Sequence, residues 1–176
     1  REWIRRMKSS MQLLGKEFSS QRMLVNYAKQ VYFPALDNYR RIVGGKYRES
    51  KELAAYLSRL DKAWGSISIV ESPRIPERAV MVGDSLNLTA SVRLGEMEPD
   101  GVRVEIYYGP LNNVGEIEPA SRAEMTHVGT TDDEAVHQFT VTVPCSRAGR
   151  QGLAIRILPK HASLTQPFVP GYVIWG

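Results

Sequence analysis

The stretch VRVEIYYG, residues 102–109, decides the fold class of this chain of 176 residues. Apolar side chains alternate in it with more polar ones, at Val102, Val104, Ile106 and Tyr108. Because successive side chains of a β-strand point to opposite faces of a sheet, this alternation predicts a strand with one face in a core.

Six further segments predict short strands. They are residues 66–70, 86–92, 123–130, 136–143, 153–158 and 172–175. Gly, Pro, Asn and Asp separate them, and the sequence between them predicts no crossover helix. Seven short strands with such turns are typical of an antiparallel, immunoglobulin-like β-sandwich.

Two compositional changes place a domain boundary at Gly65. Residues 1–64 contain 14 Lys and Arg against 6 Asp and Glu, a net charge of +8, whereas residues 65–176 contain 9 against 13, a net charge of −4. Only 4 of the 24 glycines and prolines precede Gly65, as expected when helices are followed by strands and turns. We therefore predict two domains, residues 1–64 and residues 65–176.

Apolar residues at helical spacing predict about four helices before that boundary. The first helix stops near Gly15 and carries on one face Trp3, Met7, Met11 and Leu14. The second begins at a serine cap, Ser19 or Ser20, where Ser20 would contribute about 1 kcal/mol, and runs to about Tyr32. Its buried face consists of Met23 or Leu24, Tyr27, Ala28 and Val31.

The third and fourth helices complete the helical part. The third has Pro34 in its first turn, ends at Gly44-Gly45, and turns inward Leu36, Tyr39 and Val43. The fourth begins near Ser50, and its stripe consists of Leu53, Tyr56, Leu57, Leu60 and Trp64. The predicted fold class is therefore α+β: an N-terminal helical segment of about four helices, followed by the β-sandwich.

The composition indicates a globular protein and argues against a membrane-spanning or disulfide-bonded one. A hydrophobic content of 43% and a charged content of 24% are typical of a globular protein. No stretch approaches the roughly 20 apolar residues of a membrane span, and the first residues, REWIRRMKSS, do not have the pattern of a signal sequence. Its one cysteine, Cys145, cannot form an internal disulfide. We expect a soluble, cytoplasmic protein without a membrane partner.

The residues reveal no active site, metal site or cofactor site in this chain. Phosphate-binding glycine motifs are absent. His127 and His137 lie on candidate neighbouring strands but lack a third well-spaced ligand, so we interpret them as structural or solvated. The basic helical half could bind nucleic acid, but its apolar stripe fits packing better, and we predict no nucleic-acid partner.

Aromatic residues on the predicted sandwich offer one binding surface. Tyr107, Tyr108 and Trp175 are candidates for stacking against sugars. Adjacent Tyr107 and Tyr108 must point to opposite faces of their strand, so only one of them belongs to the core.

The helical segment resembles a known enzyme family. The run EFSSQRMLVNYAKQVY, residues 17–32, is similar to a helix entry near the end of the catalytic chain of the α-glucan phosphorylases, where an FSS-x-R segment precedes an EYA-like stretch. Asn26 stands where that pattern has its acid. A Tyr-Phe-Pro-Ala helix, VRVEIYYGPLNNVGEIEP and GRQGLAIRILPKHASLTQPFVPGYVIWG follow in order and resemble the C-terminal end of the bacterial and archaeal branch.

This resemblance implies a C-terminal region of a glycogen, starch or maltodextrin phosphorylase. The intact enzyme would have a two-lobed glycosyltransferase fold and transfer a glucosyl unit of an α-1,4-glucan to phosphate, with pyridoxal phosphate as cofactor. The family holds that cofactor on a lysine in a Gly-Thr-Ser-x-Met-Lys context, which the Met7-Lys8 pair does not match. The resemblance carries over no catalytic residue, only a structural tail motif of Phe18, Ser19, Ser20 and Arg22.

The chain begins at Arg1 without an initiator methionine, and we expect its natural polypeptide to continue upstream. The expected partners are the upstream catalytic lobes of that polypeptide. The sequence does not decide whether an α-1,4-glucan or a second copy of the chain is a further partner. We expect the part present here to be inactive alone, with a structural or oligomerisation role. The alternative is a stand-alone carbohydrate-binding β-sandwich with a helical arm. It predicts sugar affinity that depends on the three aromatic residues.

Overall fold

A computed structural model describes residues 1–75 and 80–176. They divide into two compact units, Arg1–Glu52 and Leu53–Gly176. The helices are α1 (Glu2–Glu17), α2 (Ser20–Tyr27) and α3 (Phe33–Ala63), with a π-helical turn at Ala28–Tyr32 between α2 and α3.

The predicted count of four separate helices is wrong. Helical structure runs without interruption from α2 through the π-helical turn into α3, so the second and third predicted helices are continuous. Pro34 lacks the N–H that an interior helical position requires, and its ring crowds the preceding turn. The π-helical turn lies directly before Pro34 and widens the helix there, which allows the chain to remain helical.

The double glycine marks a break inside α3. Gly44 is extended, and the next three residues have positive φ, with Gly45 at φ 59°, Lys46 at φ 58° and Tyr47 at φ 61°. Glycine takes the left-handed conformation without the steric cost that a Cβ brings, whereas Lys46 and Tyr47 are non-glycine residues in that region. The prediction that the third helix ends at Gly44-Gly45 therefore agrees with the backbone.

The predicted inward faces of the second and third helices are not buried. No residue of α1 or α2 is buried. The side chains predicted to pack inward are instead exposed, namely Met23, Leu24, Tyr27, Val31, Leu36 and Tyr39. The stripe of the fourth predicted helix differs, because Tyr56 and Leu60 are buried in the core and Leu53 and Trp64 pack against it. Leu57, which was predicted in the same stripe, is exposed.

In the described part of the chain, eight strands form two antiparallel sheets. Their bounds are β1 (Ser68–Glu71), β2 (Ser85–Arg93), β3 (Val102–Pro110), β4 (Ser121–Glu124), β5 (Thr126–Thr130), β6 (Val136–Pro144), β7 (Gln151–Pro159) and β8 (Ile174–Trp175). Sheet 1 has the order β1-β2-β6-β5, and sheet 2 has the order β4-β3-β7-β8. In each sheet two central strands of nine residues are flanked by edge strands of two to five residues.

The single strand predicted over residues 123–130 is wrong. The structure divides it into β4, which pairs with β3 of sheet 2, and β5, which pairs with β6 of sheet 1. Met125 lies between them, is buried, and donates its backbone N–H to the carbonyl of Val104 at 2.8 Å. The chain therefore crosses from one sheet to the other at Met125. The alternation of apolar and polar residues continues through this crossing, so the sequence pattern does not reveal it.

One core lies between the two sheets, and the end of α3 joins it. Alternate residues of the central strands face inward, including Leu88, Ala90 and Val92 of β2 and Val104 and Ile106 of β3. Leu60 of α3 is in the same cluster and is fully buried.

Tyr56 ties α3 to the sandwich by two hydrogen bonds. Its hydroxyl donates to the carbonyl of Gly101 at 2.9 Å and accepts from the backbone N–H of Lys160 at 3.0 Å. Burial is the main cause that raises the pKa of the Tyr56 hydroxyl, so this group stays protonated and able to donate.

Candidate functional site

Two of the three aromatic residues predicted to stack against sugars meet on the outer face of sheet 2. Tyr107 of β3 and Trp175 of β8 have ring centroids 5.6 Å apart and planes at 87°, an edge-to-face contact. The strands that carry them flank β7, in which Ala154 pairs with Tyr107 and Arg156 pairs with Trp175. The register therefore places both rings beside the same stretch of β7.

An arginine lies against both rings. The Arg156 Cζ atom is 5.6 Å from the centroid of Tyr107 and 5.2 Å from that of Trp175. Its guanidinium forms an ion pair with Glu105, its direct partner in the β3–β7 register. Both charged side chains are largely shielded, with 14% of Arg156 and 7% of Glu105 accessible. We name Tyr107, Trp175, Arg156 and Glu105 the Trp175 cluster.

The structure does not bring Tyr108 to this cluster. Tyr108 lies on the opposite face of β3, where it is partly buried against the core. The rule that adjacent strand residues face opposite sides correctly indicated that only one of Tyr107 and Tyr108 belongs to the core.

The sequence prediction missed Glu105 and Arg156. Each is a charged residue between two buried aliphatic ones, as in Val104-Glu105-Ile106. Such a position identifies an outward-facing charge, but the partner depends on strand register, which the sequence pattern does not specify. The alternation of aliphatic and charged residues in these two strands was the signal that could have identified Glu105 and Arg156 as outward-facing.

The chemistry of the Trp175 cluster is that of binding. Trp175 keeps 51% of its surface accessible, so much of its indole is open to a ligand. The ion pair and the two aromatic contacts restrict the orientation of the rings. The cluster contains no histidine, serine or cysteine.

The tail motif lines a groove in the helical unit. Ser19 is the N-cap of α2, and its side chain accepts a hydrogen bond from the Arg22 N–H at 3.2 Å. Ser20 is therefore not the cap. Arg22 also forms an ion pair with Glu17, and Phe18 is 81% exposed. We name the surroundings the Phe18 groove, a depression of about 670 Å³ lined by Glu17, Phe18, Ser19, Ser20, Arg22, Met23, Asn26, Tyr27, Gln30 and Val31.

The two predicted neighbouring histidines do approach each other. His127 Nε2 lies 3.1 Å from His137 Nδ1, and the His127 ring also contacts Phe139. Burial, and then the nearby His127, lower the pKa of His137, while Glu98 opposes this effect. Within residues 1–75 and 80–176, no group of three or more His, Cys, Asp or Glu could hold a metal ion.

None of the helices in the described part of the chain has both the length and the apolar character required to traverse a bilayer.

Comparisons with known proteins assign the family. Residues 64–176 match the family model described as the glycogen phosphorylase C-terminal domain. The chain is 33% identical over 164 residues to glycogen phosphorylases of Mycobacterium bovis and Mycobacterium tuberculosis, an alignment that covers 92% of this chain and 19% of each relative. It is 25% identical over 180 residues to the maltodextrin phosphorylase of Thermococcus litoralis, covering 98% of this chain and 20% of that relative.

The chain thus spans about a fifth of the length of the curated relatives it matches. No solved structure matches it. The matched region begins at Trp64 and contains both sheets of the sandwich. The chain belongs to the glycogen phosphorylase C-terminal domain family.

Proposed function

We propose that this chain serves as the non-catalytic C-terminal part of an α-glucan phosphorylase. The intact polypeptide transfers a glucosyl unit of an α-1,4-glucan to phosphate and releases glucose 1-phosphate. The observation that carries this proposal is the family match over residues 64–176, together with relatives about five times as long. Upstream lobes then supply the catalytic residues and bind the glucan and phosphate.

Pyridoxal phosphate belongs to those upstream lobes in this proposal. When bound there, it supplies a phosphate group that exchanges a proton with the substrate phosphate. The one Met-Lys pair of this chain places Lys8 on α1, where it is exposed. An exposed lysine on a helix surface does not fit a cofactor that must be enclosed with its substrate, so we derive no step through the cofactor here.

The helical unit would pack on the catalytic lobes of the same polypeptide. Residues 1–52 hold no buried side chain, yet α1 presents Trp3, Met7, Met11 and Leu14 at helical spacing. Apolar side chains that recur on one helix face mark a surface that burial would stabilise. The length of the relatives supplies an occupant, namely the region that precedes the matched domain.

We assign the helical tail to residues 1–64 and the accessory sandwich to residues 65–176. The sandwich would be immunoglobulin-like, a proposal supported by strand order. Sheet 1 runs β1-β2-β6-β5, which corresponds to the order A-B-E-D of a constant-type domain, and β3-β7-β8 of sheet 2 corresponds to C-F-G. Its role is to stabilise the enzyme or support contacts between copies, and we place the enzyme in the cytoplasm.

Size and activity of the natural protein test this proposal. An antibody raised against the chain should detect, in a lysate of the source organism, a band far above 19.8 kDa. That protein should co-purify with phosphate-dependent release of glucose 1-phosphate from maltodextrin. A band at 19.8 kDa without this activity would overturn the proposal.

Matched substitutions in the complete polypeptide test the packing surface. Met7→Asp and Met11→Asp place a carboxylate on the proposed buried face and should lower both the unfolding temperature and the recovered activity. Ser9→Asp makes the same change on the opposite face of α1, because each helical residue turns by about 100°. It should leave both measurements unchanged. Equal behaviour of all three variants would contradict the packing proposal.

A stand-alone carbohydrate-binding module is the second candidate function. The observation in its favour is the Trp175 cluster, which carries an exposed indole on a sheet face. The same antibody experiment separates the two candidates, because this one requires a natural protein of about the size of this chain.

A further inference from the structure

The Trp175 cluster is an open aromatic surface on the sandwich, and neighbouring side chains restrict the orientation of its rings. Trp175 is 51% exposed and contacts Tyr107 edge-to-face, with Arg156 against both rings. Glu105, which is buried, holds Arg156 in place by an ion pair. Binding to such a surface costs little conformational entropy, because the side chains are ordered before the ligand arrives.

The surroundings of the cluster suit a neutral, hydroxyl-rich ligand. The Arg156 charge is compensated by Glu105, so this arginine does not by itself attract an anion. Beyond Tyr107 lies exposed Arg122, its partner in the β3–β4 register, whose guanidinium can donate hydrogen bonds. An open apolar ring bordered by hydrogen-bond donors complements a pyranose, which has an apolar C–H face and polar hydroxyls at its rim.

The same face is poorly suited to a protein partner. Next to the cluster lie paired charges, since Glu124 is 3.4 Å from Arg103 and 2.8 Å from Lys160. The centre of a stable protein interface is depleted of charge and extends over many apolar residues. One open indole among ion pairs provides neither property.

We propose that the Trp175 cluster is a binding site for α-1,4-glucan chains, with Trp175 as the stacking platform, Tyr107 as its aromatic flank, and Arg156 and Glu105 as positioning residues. The choice of glucan rests on the proposed function, because glycogen and maltodextrin phosphorylases are the relatives. The site would hold a distant part of the polymer whose end is processed in the catalytic lobes. It would therefore raise the local concentration of polymeric substrate.

Titration of the 176-residue chain with maltoheptaose, followed by isothermal calorimetry, tests this proposal. We expect saturable binding that is roughly tenfold weaker in Trp175→Ala, the fold-change that about 1.4 kcal/mol produces. Trp175→Phe retains a stacking ring and should keep most of the affinity. Phe168→Ala is the matched control, since Phe168 is also 51% exposed but lies outside the cluster, and it should bind as the unmodified chain does.

Arg156 needs a readout beyond loss of affinity. Arg156→Gln should weaken maltoheptaose binding and change the near-ultraviolet circular dichroism of the tryptophans, and it should also lower the unfolding temperature because it leaves the shielded Glu105 carboxylate unpaired. The double variant of Glu105→Gln with Arg156→Gln removes both charges, and it should recover part of the unfolding temperature while binding stays weak. Arg156→Lys keeps a positive charge opposite Glu105 but lacks the planar guanidinium, and it should retain the affinity only in part.

Three results would overturn the proposal. They are absence of maltoheptaose binding at millimolar concentration, equal affinity of Trp175→Ala and the unmodified chain, and a change of mass in Trp175→Ala by light scattering without a change in sugar affinity. The last would identify a contact between copies. Because the readout is binding and not phosphorolysis, failure here leaves the proposed phosphorylase function standing, and failure of phosphorolysis leaves the binding result standing.

Discussion

The helical unit and the sandwich unit contain apolar patterns of similar regularity with opposite outcomes. In Arg1–Glu52 no side chain is buried, whereas the buried hydrophobic residues of the described chain all lie in Leu53–Gly176. Leu24 and Leu60 illustrate the contrast. Leu60 and, as the alternative to Met23, Leu24 were predicted on buried helix faces, yet Leu24 is 62% exposed and Leu60 is fully buried. An amphipathic pattern therefore identifies the face that gains from burial, but not the partner that covers it.

The largest expected effect comes from separating the two units. Residues 53–176 should fold alone and unfold cooperatively, because they contain the core. Residues 1–52 should lose most of their helical structure as an isolated peptide, because helices of this length are marginal in water without tertiary packing. Far-ultraviolet circular dichroism during thermal unfolding measures both. A cooperative transition in the peptide of residues 1–52 would remove the contrast.

Leucine substitutions sharpen the comparison at single sites. Leu60→Ala should lower the free energy of unfolding by about 2–5 kcal/mol, because it leaves a cavity in a fully packed core. Leu24→Ala deletes the same atoms from an exposed position and should change it by less than about 0.5 kcal/mol. Urea denaturation of the chain of 176 residues provides both values. Similar losses in the two variants would show that Leu24 is packed.

A pair of tyrosine variants tests the same contrast for polar groups. Tyr56→Phe removes the hydroxyl shared by the Gly101 carbonyl and the Lys160 N–H, which still pair with each other at 3.1 Å, and should cost about 0.5–1.5 kcal/mol. Tyr39→Phe, at a position that is 63% exposed, should have almost no effect. Equal unfolding midpoints in urea for the two variants would argue against the anchoring role of Tyr56.

Most strands were predictable because apolar and polar residues alternate along a strand that has one face in the core. The passage from β4 to β5 was not, since Met125 continues the pattern while the chain changes sheets. The candidate site was likewise predictable only in part. Tyr107 and Trp175 could be named from residue type and position, but the ion pair of Glu105 with Arg156 depends on the pairing of β3 with β7. Local composition does not encode that register.

Within the helical unit, the two candidate caps can be distinguished. Ser19→Ala removes the acceptor of the Arg22 N–H and should destabilise the start of α2 by about 1 kcal/mol. Ser20→Ala should have little effect, because Ser20 is the first residue of the helix and not its cap. Amide hydrogen exchange in the first turn of α2 measures the difference. Faster exchange in Ser20→Ala than in Ser19→Ala would reverse the assignment.

The smallest expected effect concerns the histidine pair of the sandwich. Burial holds the pKa of folded His137 below its ordinary value near 6.5. The unfolded chain therefore binds a proton there more readily. The stabilisation is complete above about pH 6.5, and it is lost as the pH falls through the lower pKa of the folded state. His137→Gln should flatten this part of the stability profile, measured by urea denaturation from about pH 8 to pH 5. An unchanged slope would exclude His137 as its source.

The short edge strands bear on how the chain behaves at high concentration. Unpaired strand edges are templates on which other chains can add, and proteins limit this risk with short or bulged edges. Here the four edge strands have two to five residues, and irregular register interrupts β1 near Ile69 and β5 near Gly129. Edge-to-edge aggregation is thereby disfavoured. Self-association of the isolated chain through the exposed apolar faces of α1 and α2 should be reversed by detergent rather than by salt.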